Sequence, residues 1–259
     1  MDSVRIPNQN LDLILKYIDD SPSDEFDIEC ALNEFNEIGI PQVSQLCQDV
    51  IAYSVIGKSG RFLEIGAGDG YHLSNTFNLE RFFGWTGCLI EPLPRFQQAI
   101  KSLNRQFSDL IPFAISGKCG FEQLVDSGEL SGFLENMMGD DWGEVRAKNH
   151  DKYGVERVVG ICPTQLLIRV GNNFDFITID TEGSEISILN SWPFEIFSPK
   201  IIMVENSLIP SRVLEIDEIL AKNGYEIFLR GVSMWDSWYI RSEIIQAELP
   251  DFCPCNISK

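Results

Sequence analysis

The sequence predicts an α/β fold, doubly wound, with a mostly parallel sheet. Three observations lead there. Short apolar runs alternate with helical patterns between residues 61 and 241. The first run ends in a glycine-spaced turn, Glu64-Ile65-Gly66-Ala67-Gly68-Asp69-Gly70. The fourth ends in Asp180, followed by a second turn at Gly183. Uninterrupted apolar runs of this length belong to strands covered on both faces.

The elements follow in order. Arg61–Ile65 reads as the first strand and Tyr71–Phe83 as the helix after it. Thr86–Glu91 is the second strand. Pro94–Leu103 is helical, with Phe96, Ala99, Ile100 and Leu103 on one face. Leu110–Ile115, Phe174–Asp180 and Lys200–Glu205 are the third, fourth and fifth strands. Glu185–Asn190 and Arg212–Lys222 are helices, the second ended by Gly224. Tyr225–Arg230 and Ser237–Arg241 close the chain's ordered pattern. The turn between them is too short for a crossover helix, so this pair is antiparallel.

Ahead of the alternating region lies a helical N-terminal extension, residues 1–58. Its apolar residues repeat at helical spacing in three stretches: Leu11–Ile18, Ile28–Phe35 and Val43–Ile51. It either covers one end of the site or forms the contact surface of a homo-oligomer. Residues 59–245 form the main domain, and 246–259 a tail. Residues 117–165, between the third and fourth strands, are too many for an ordinary connection. This glycine-rich insertion is either a lid over the strand tops or a surface excursion.

Composition narrows the function. Of 259 residues, 44% are hydrophobic, enough for a sizeable core, and the net charge is −19. Such acidity repels a phosphate backbone, so nucleic acid is not an expected partner. No apolar run approaches the ~18 residues of a membrane span. The start, Met1 to Pro7, lacks an apolar leader. Seven scattered cysteines fit reduced thiols and a cytoplasmic location. Cys253 and Cys255 have no further ligand nearby and read as tail.

Chemistry concentrates at strand ends. Gly66, Gly68 and Gly70 form a tight turn between strand and helix, the layout of a nucleotide-cofactor site. A dinucleotide fingerprint needs its third glycine at position 71, which is Tyr71. Glu91 ends the second strand, where a carboxylate can accept hydrogen bonds from both hydroxyls of a ribose. Asp180 leaves a buried strand at its carboxyl end and can hold an ammonium group, a metal ion or a reacting hydroxyl. Glu182 and Glu185 suit local roles in the turn and helix start. Glu205 and Asn206 end the fifth strand at the same edge. With Asp180 they are hard oxygen ligands for Mg²⁺ or a similar ion, or else they merely terminate the strand. His72 either faces the cofactor pocket or touches solvent. His150, in the insertion, is either a general base or an exposed imidazole.

Seven stretches together resemble the FkbM-type methyltransferases, a branch of the class I O-methyltransferases that use S-adenosylmethionine (SAM). They are Glu64–Gly70, Ser74–Thr76, Gly84–Pro92, Ala114–Ser116, Ile179–Glu185, Val204–Asn206 and Trp235–Ile240. The resemblance implies a seven-stranded, Rossmann-like sheet with only the last strand antiparallel, and SAM as cofactor. It implies that Glu64, Gly66, Ala67, Gly68, Asp69 and Gly70 surround the methionine part of SAM. Glu91 and Pro92 would meet the ribose, Ala114 and Ile115 the adenine, and Asp180 the donor methyl. Some relatives hold a divalent metal on residues corresponding to Asp180, Glu205 and Asn206. The expected activity is methyl transfer to a hydroxyl of a small-molecule or carbohydrate acceptor. Two alternatives remain: an NAD(P)-dependent oxidoreductase, and a non-catalytic domain that binds SAM or recruits partners.

Overall fold

The computed structural model describes residues 28–136 and 143–246. The stretch Leu11–Ile18, residues 137–142 of the insertion, and Cys253 and Cys255 in the tail lie outside the described residues. The strands are β1 (Arg61–Ile65), β2 (Thr86–Ile90), β3 (Ser108–Ile111), β4 (Ala114–Ile115), β5 (Gly120–Val125), β6 (Gly132–Phe133), β7 (Val155–Ile161), β8 (Phe176–Ile179), β9 (Ile201–Glu205), β10 (Tyr225–Phe228) and β11 (Asp236–Arg241). The helices are α1 (Ile28–Ile38), α2 (Gln48–Ile56), α3 (Phe77–Phe83), α4 (Pro94–Ser102), α5 (Gly143–Tyr153), α6 (Pro163–Val170), α7 (Glu185–Asn190), α8 (Pro210–Lys222) and α9 (Ser242–Gln246). Among the described residues, no helix is long and apolar enough to cross a membrane.

Seven strands form one sheet in the order β10-β11-β9-β8-β1-β2-β3. Strands β3, β2, β1, β8 and β9 are mutually parallel, and β11 runs antiparallel to both β9 and β10. The expected doubly wound sheet with its reversed last strand is therefore present. Each face is buried by a different helix set. Phe62, Phe176, Met203 and Trp238 pack with Leu32 and Phe35 of α1 and Val50 and Ile51 of α2. Leu63, Ile177, Ile202 and Tyr239 pack with Leu166 of α6, Ile188 of α7, and Ile216 and Leu220 of α8. The period-two alternation of strand side chains divides each apolar run between these two cores.

The insertion is not a loose excursion. Strands β4, β7, β5 and β6 make a second sheet, with β4 parallel to β7 and β5 antiparallel to both β6 and β7. Ala114, Leu124, Phe133 and Val158 gather with Leu93 and Phe96 into a third apolar cluster under it. Three expectations are corrected here. Leu110–Ile115 is not one strand. Its last two residues leave the main sheet and pair with β7, a partner too distant in sequence to be read locally. The helix expected from Tyr71 begins only at Phe77, because Leu73 takes a left-handed φ of 59° and the next three residues bond a buried carboxylate. The helix expected from Val43 begins at Gln48, after Ser44 bridges to Leu73.

That carboxylate belongs to Glu64. Its oxygens accept from Asn75 N at 2.8 Å, Thr76 Oγ1 at 2.5 Å and Ser74 Oγ at 3.1 Å. Arg105 completes the network. Its Nε donates to Glu80 at 2.6 Å, its Nη1 to the Gly70 carbonyl at 2.9 Å and its Nη2 to Thr76 Oγ1 at 2.9 Å. The Arg105–Glu80 pair is 3% and 4% exposed. Burial pushes the Glu64 carboxyl up, and the Arg105 charge opposes that shift.

Two predictions follow from this packing. Arg105→Met strands two buried carboxylates, and chemical denaturation should register a loss of about 3–5 kcal/mol. At Gly66, with φ +91°, an added Cβ would sit 1.7 Å from the Asp180 carbonyl oxygen, whereas at Gly68, with φ +53°, it meets nothing within 4 Å. Gly66→Ala should therefore unfold at markedly lower denaturant than Gly68→Ala, which loses only about 1 kcal/mol to backbone strain.

Candidate active site

In an open parallel sheet, a crevice forms at the carboxyl edge where the chain's direction of winding reverses. Here β1 is that point, with β2 on one side and β8 on the other. A cavity of about 940 Å³, measured out to its mouth, opens there. The β1 turn contributes Glu64, Gly66, Ala67 and Gly68, and the end of β2 contributes Glu91 and Pro92. Ala114 and Ile115 of β4 form part of its apolar wall, with Phe96, Phe113, Leu124 and Phe133. Asp180, Thr181 and Glu182 lie at the β8 end. The second sheet thus caps the crevice, with Leu124, Glu129, Ser131 and Phe133 of the insertion among the lining residues.

Glu91 is 4% exposed. Its oxygens accept from Gly68 N at 2.9 Å and Leu93 N at 2.7 Å. Burial lifts its carboxyl to about 7, against those two backbone donors. Gly68 lines the cavity with open space where a side chain would stand.

Asp69 and Gly70 do not line the cavity. Asp69 accepts from Tyr71 N at 2.9 Å and His72 N at 2.7 Å, shaping the turn. A Cβ on Gly70 would meet Ile100 Cγ1 at 2.8 Å, so this glycine lets α4 approach. Glu64 borders the cavity, but its hydrogen bonds go to the loop that follows. His72 lines the cavity and its Nδ1 meets Glu129 of the cap at 2.5 Å. His150, half-buried on α5, is outside the set of lining residues.

At the β8 edge, one carboxylate oxygen each from Asp180, Glu182 and Glu205 lie within 4.8 Å of one another. Asp180 opens onto the cavity, while Glu205 is half-buried behind it. Burial raises both carboxyls well above the ordinary range. For Asp180 the charges of Glu182, Asp236 and Glu185 add to the rise, and a hydrogen bond with Glu205 opposes it. For Glu205 the neighbouring Asp180, Glu185 and Glu182 add to it. Asp236 is lifted to about 6 by burial, against hydrogen bonds from Gln48 and Trp238. The Gln48 bond, 2.8 Å, ties the N-terminal helices to this edge.

Of the expected metal set, Asp180 and Glu205 fall in this cluster, joined by Glu182. Asn206 bonds within the protein: its Nδ2 donates to Ser237 Oγ at 2.9 Å and its Oδ1 accepts from Leu208 N at 2.7 Å. Glu182 was expected to act locally, yet it has φ +57° and pairs with Arg146, which is 1% exposed and comes from the cap helix α5. Glu185 does act locally, accepting from Thr181 N at 2.8 Å and Gly183 N at 3.0 Å. The Glu182–Arg146 pair was missed because no sequence pattern links residues on separate elements. The positive guanidinium beside the cluster weighs against a cation there.

Three solved structures give the range of similarity. A methyltransferase FkbM from Methylobacillus flagellatus KT is 16% identical, at a TM-score of 0.47 over 71% of this chain. The match covers 44% of that protein, so this chain spans less than half of its length. The Podospora anserina methyltransferase PaMTH1, bound to S-adenosylhomocysteine (SAH), is 14% identical at 0.42, covering 93% of this chain and 99% of that one. Aeropyrum pernix fibrillarin with natively bound SAM is 12% identical at 0.41, covering 76% and 74%. No curated protein matches the sequence. The family model described as the methyltransferase FkbM domain matches residues 64–227, from the glycine turn through β10. The chain belongs to the FkbM methyltransferase family.

Proposed function

We propose that the protein is a SAM-dependent O-methyltransferase acting on a small, uncharged, hydroxylated acceptor such as a sugar. One observation carries the proposal: a single crevice has the buried carboxylate Glu91 at one end and Asp180, with Glu182 and Glu205 clustered around it, at the other. The residues suit SAM. Glu91 can accept from two ribose hydroxyls, the apolar wall from Phe96 to Phe133 suits adenine, and the open space over Gly68 admits the methionyl chain. When bound, the cofactor supplies a methyl group that leaves a sulfonium as a neutral thioether and bonds to oxygen.

The chain's own residues supply position and a proton sink. Asp180 accepts the acceptor's hydroxyl proton and becomes neutral, which relieves its repulsion with the neighbouring Glu182 and Glu205. The raised Asp180 carboxyl is closer to neutrality than a free aspartate, which suits general-base work. The carboxylates at the cavity, Glu91, Glu129 and Glu182 besides Asp180, disfavour phosphorylated or carboxylated acceptors. The cap sheet keeps water from the reacting atoms, so orientation supplies much of the rate. A second reading places a divalent cation on Asp180, Glu182 and Glu205, and the three-oxygen cluster favours it.

Titration calorimetry with SAH and NAD tests the cofactor: SAH should bind, and binding of NAD alone would overturn the proposal. Because the Glu91 carboxyl sits near 7 and the ionised form accepts the ribose hydroxyls, SAH affinity should fall as pH drops through about 7. Glu91→Gln should weaken SAH about 30-fold and remove that pH dependence. Asp180→Asn should lower kcat about 10²–10⁴-fold, with SAH affinity changed by less than about tenfold. In the parent enzyme, kcat should decline with falling pH, because the raised pair is protonated first. Activity should survive EDTA; its loss, with recovery on adding Mg²⁺ or Mn²⁺, would establish the cation reading instead.

A further inference from the structure

Cys119 and Cys162 meet away from the cavity, at the two ends of the capping segment. Cys119 lies just before β5, in the turn that enters the cap; Cys162 lies just after β7, where the chain leaves it for α6. The pairing of Gly120 with Gly160 and of Ile115 with Ile161 brings these ends together. Cys162 N donates to Cys119 Sγ at 3.3 Å. Both are free thiols, Cys119 exposed and Cys162 half-buried. Cys162 also occupies the N-cap position of α6, a helix of eight residues that begins at Pro163, without a side-chain capping hydrogen bond.

We infer that Cys119 and Cys162 form a redox-active dithiol, a modification site that reacts with low-molecular-weight disulfides and closes to an intramolecular disulfide. The roles of the two thiols differ. Partial burial raises Cys162, but the backbone N–H of Gln165, the Cys119 thiol, and the N–H groups of Cys162 and Thr164 outweigh it, so the net shift is downward. Cys119 moves up, chiefly through its hydrogen bond to Cys162. Cys162 stands at the N-terminus of the eight-residue helix α6, a position that favours a thiolate, so it is the nucleophile and Cys119 the resolving thiol. The Cys162 thiolate attacks one sulfur of oxidised glutathione; an S–S bond breaks, a mixed disulfide forms, and one glutathione thiolate leaves. Cys119, losing its proton to solvent, attacks the Cys162 sulfur and releases the second glutathione. Two protein thiols are oxidised and one glutathione disulfide is reduced to two thiols. The product bond joins the entry and exit of the cap, next to Ala114 and Ile115 in the cavity wall.

The test treats the full chain with oxidised glutathione, blocks remaining thiols with iodoacetamide, and maps peptides by mass spectrometry. The unsubstituted protein should lose about two mass units at one pair and yield a cross-link between the Cys119 and Cys162 peptides. Cys119→Ser should retain one glutathione on Cys162, at least about tenfold more than Cys162→Ser retains on Cys119. Full alkylation of both cysteines after oxidation, or a cross-link from either to a different cysteine, would overturn the proposal. Equal adducts in the two variants would overturn the assignment of Cys162 as nucleophile.

Discussion

A single guanidinium holds the mouth of the crevice in shape. Arg105 sits between two buried carboxylates, Glu64 and Glu80, and reaches the Gly70 carbonyl behind the glycine turn. Without that charge, the low-dielectric interior would force proton uptake or unfolding. With it, Glu64 can remain under the sheet and hold Ser74, Asn75 and Thr76 in place. Asn75 then reaches across to Thr178 Oγ1 on β8 at 2.9 Å. The loop after β1 is thereby fastened to the strand that carries Asp180. The two ends of the cavity are set by one network, and its members Glu64, Ser74, Asn75 and Thr178 line the cavity themselves.

Much of this was legible because it is local. The β1 turn, Glu91 and the Asp180–Glu185 run each announce themselves within a dozen residues, since a tight turn needs glycine and a helix start needs a cap or an acid. What escaped was non-local. β4 has two residues and finds β7 far along the chain, so no periodicity marks it. Ser74–Thr76 look helical until Glu64 recruits them, a tertiary contact overriding propensity. Asn206 has the chemistry of a ligand, and only Ser237 and Leu208 show that its polar atoms are already used. Arg146 is an ordinary basic residue in sequence; its burial against Glu182 depends on the whole cap folding over the crevice.

The cap therefore acts at both ends of the site. Its strands supply Leu124 and Phe133 to the apolar wall, and its helix supplies Arg146 to the acidic edge. Glu182, in a left-handed turn between β8 and α7, receives that guanidinium while lining the cavity. If the cap shifted, Glu182 would lose its counter-charge, and Asp180 and Glu205 would face a third uncompensated carboxylate. Their carboxyls would rise further. The position of the cap and the ionisation of Asp180 and Glu205 are thus coupled through Glu182, with no contact between the apolar wall and the acids required.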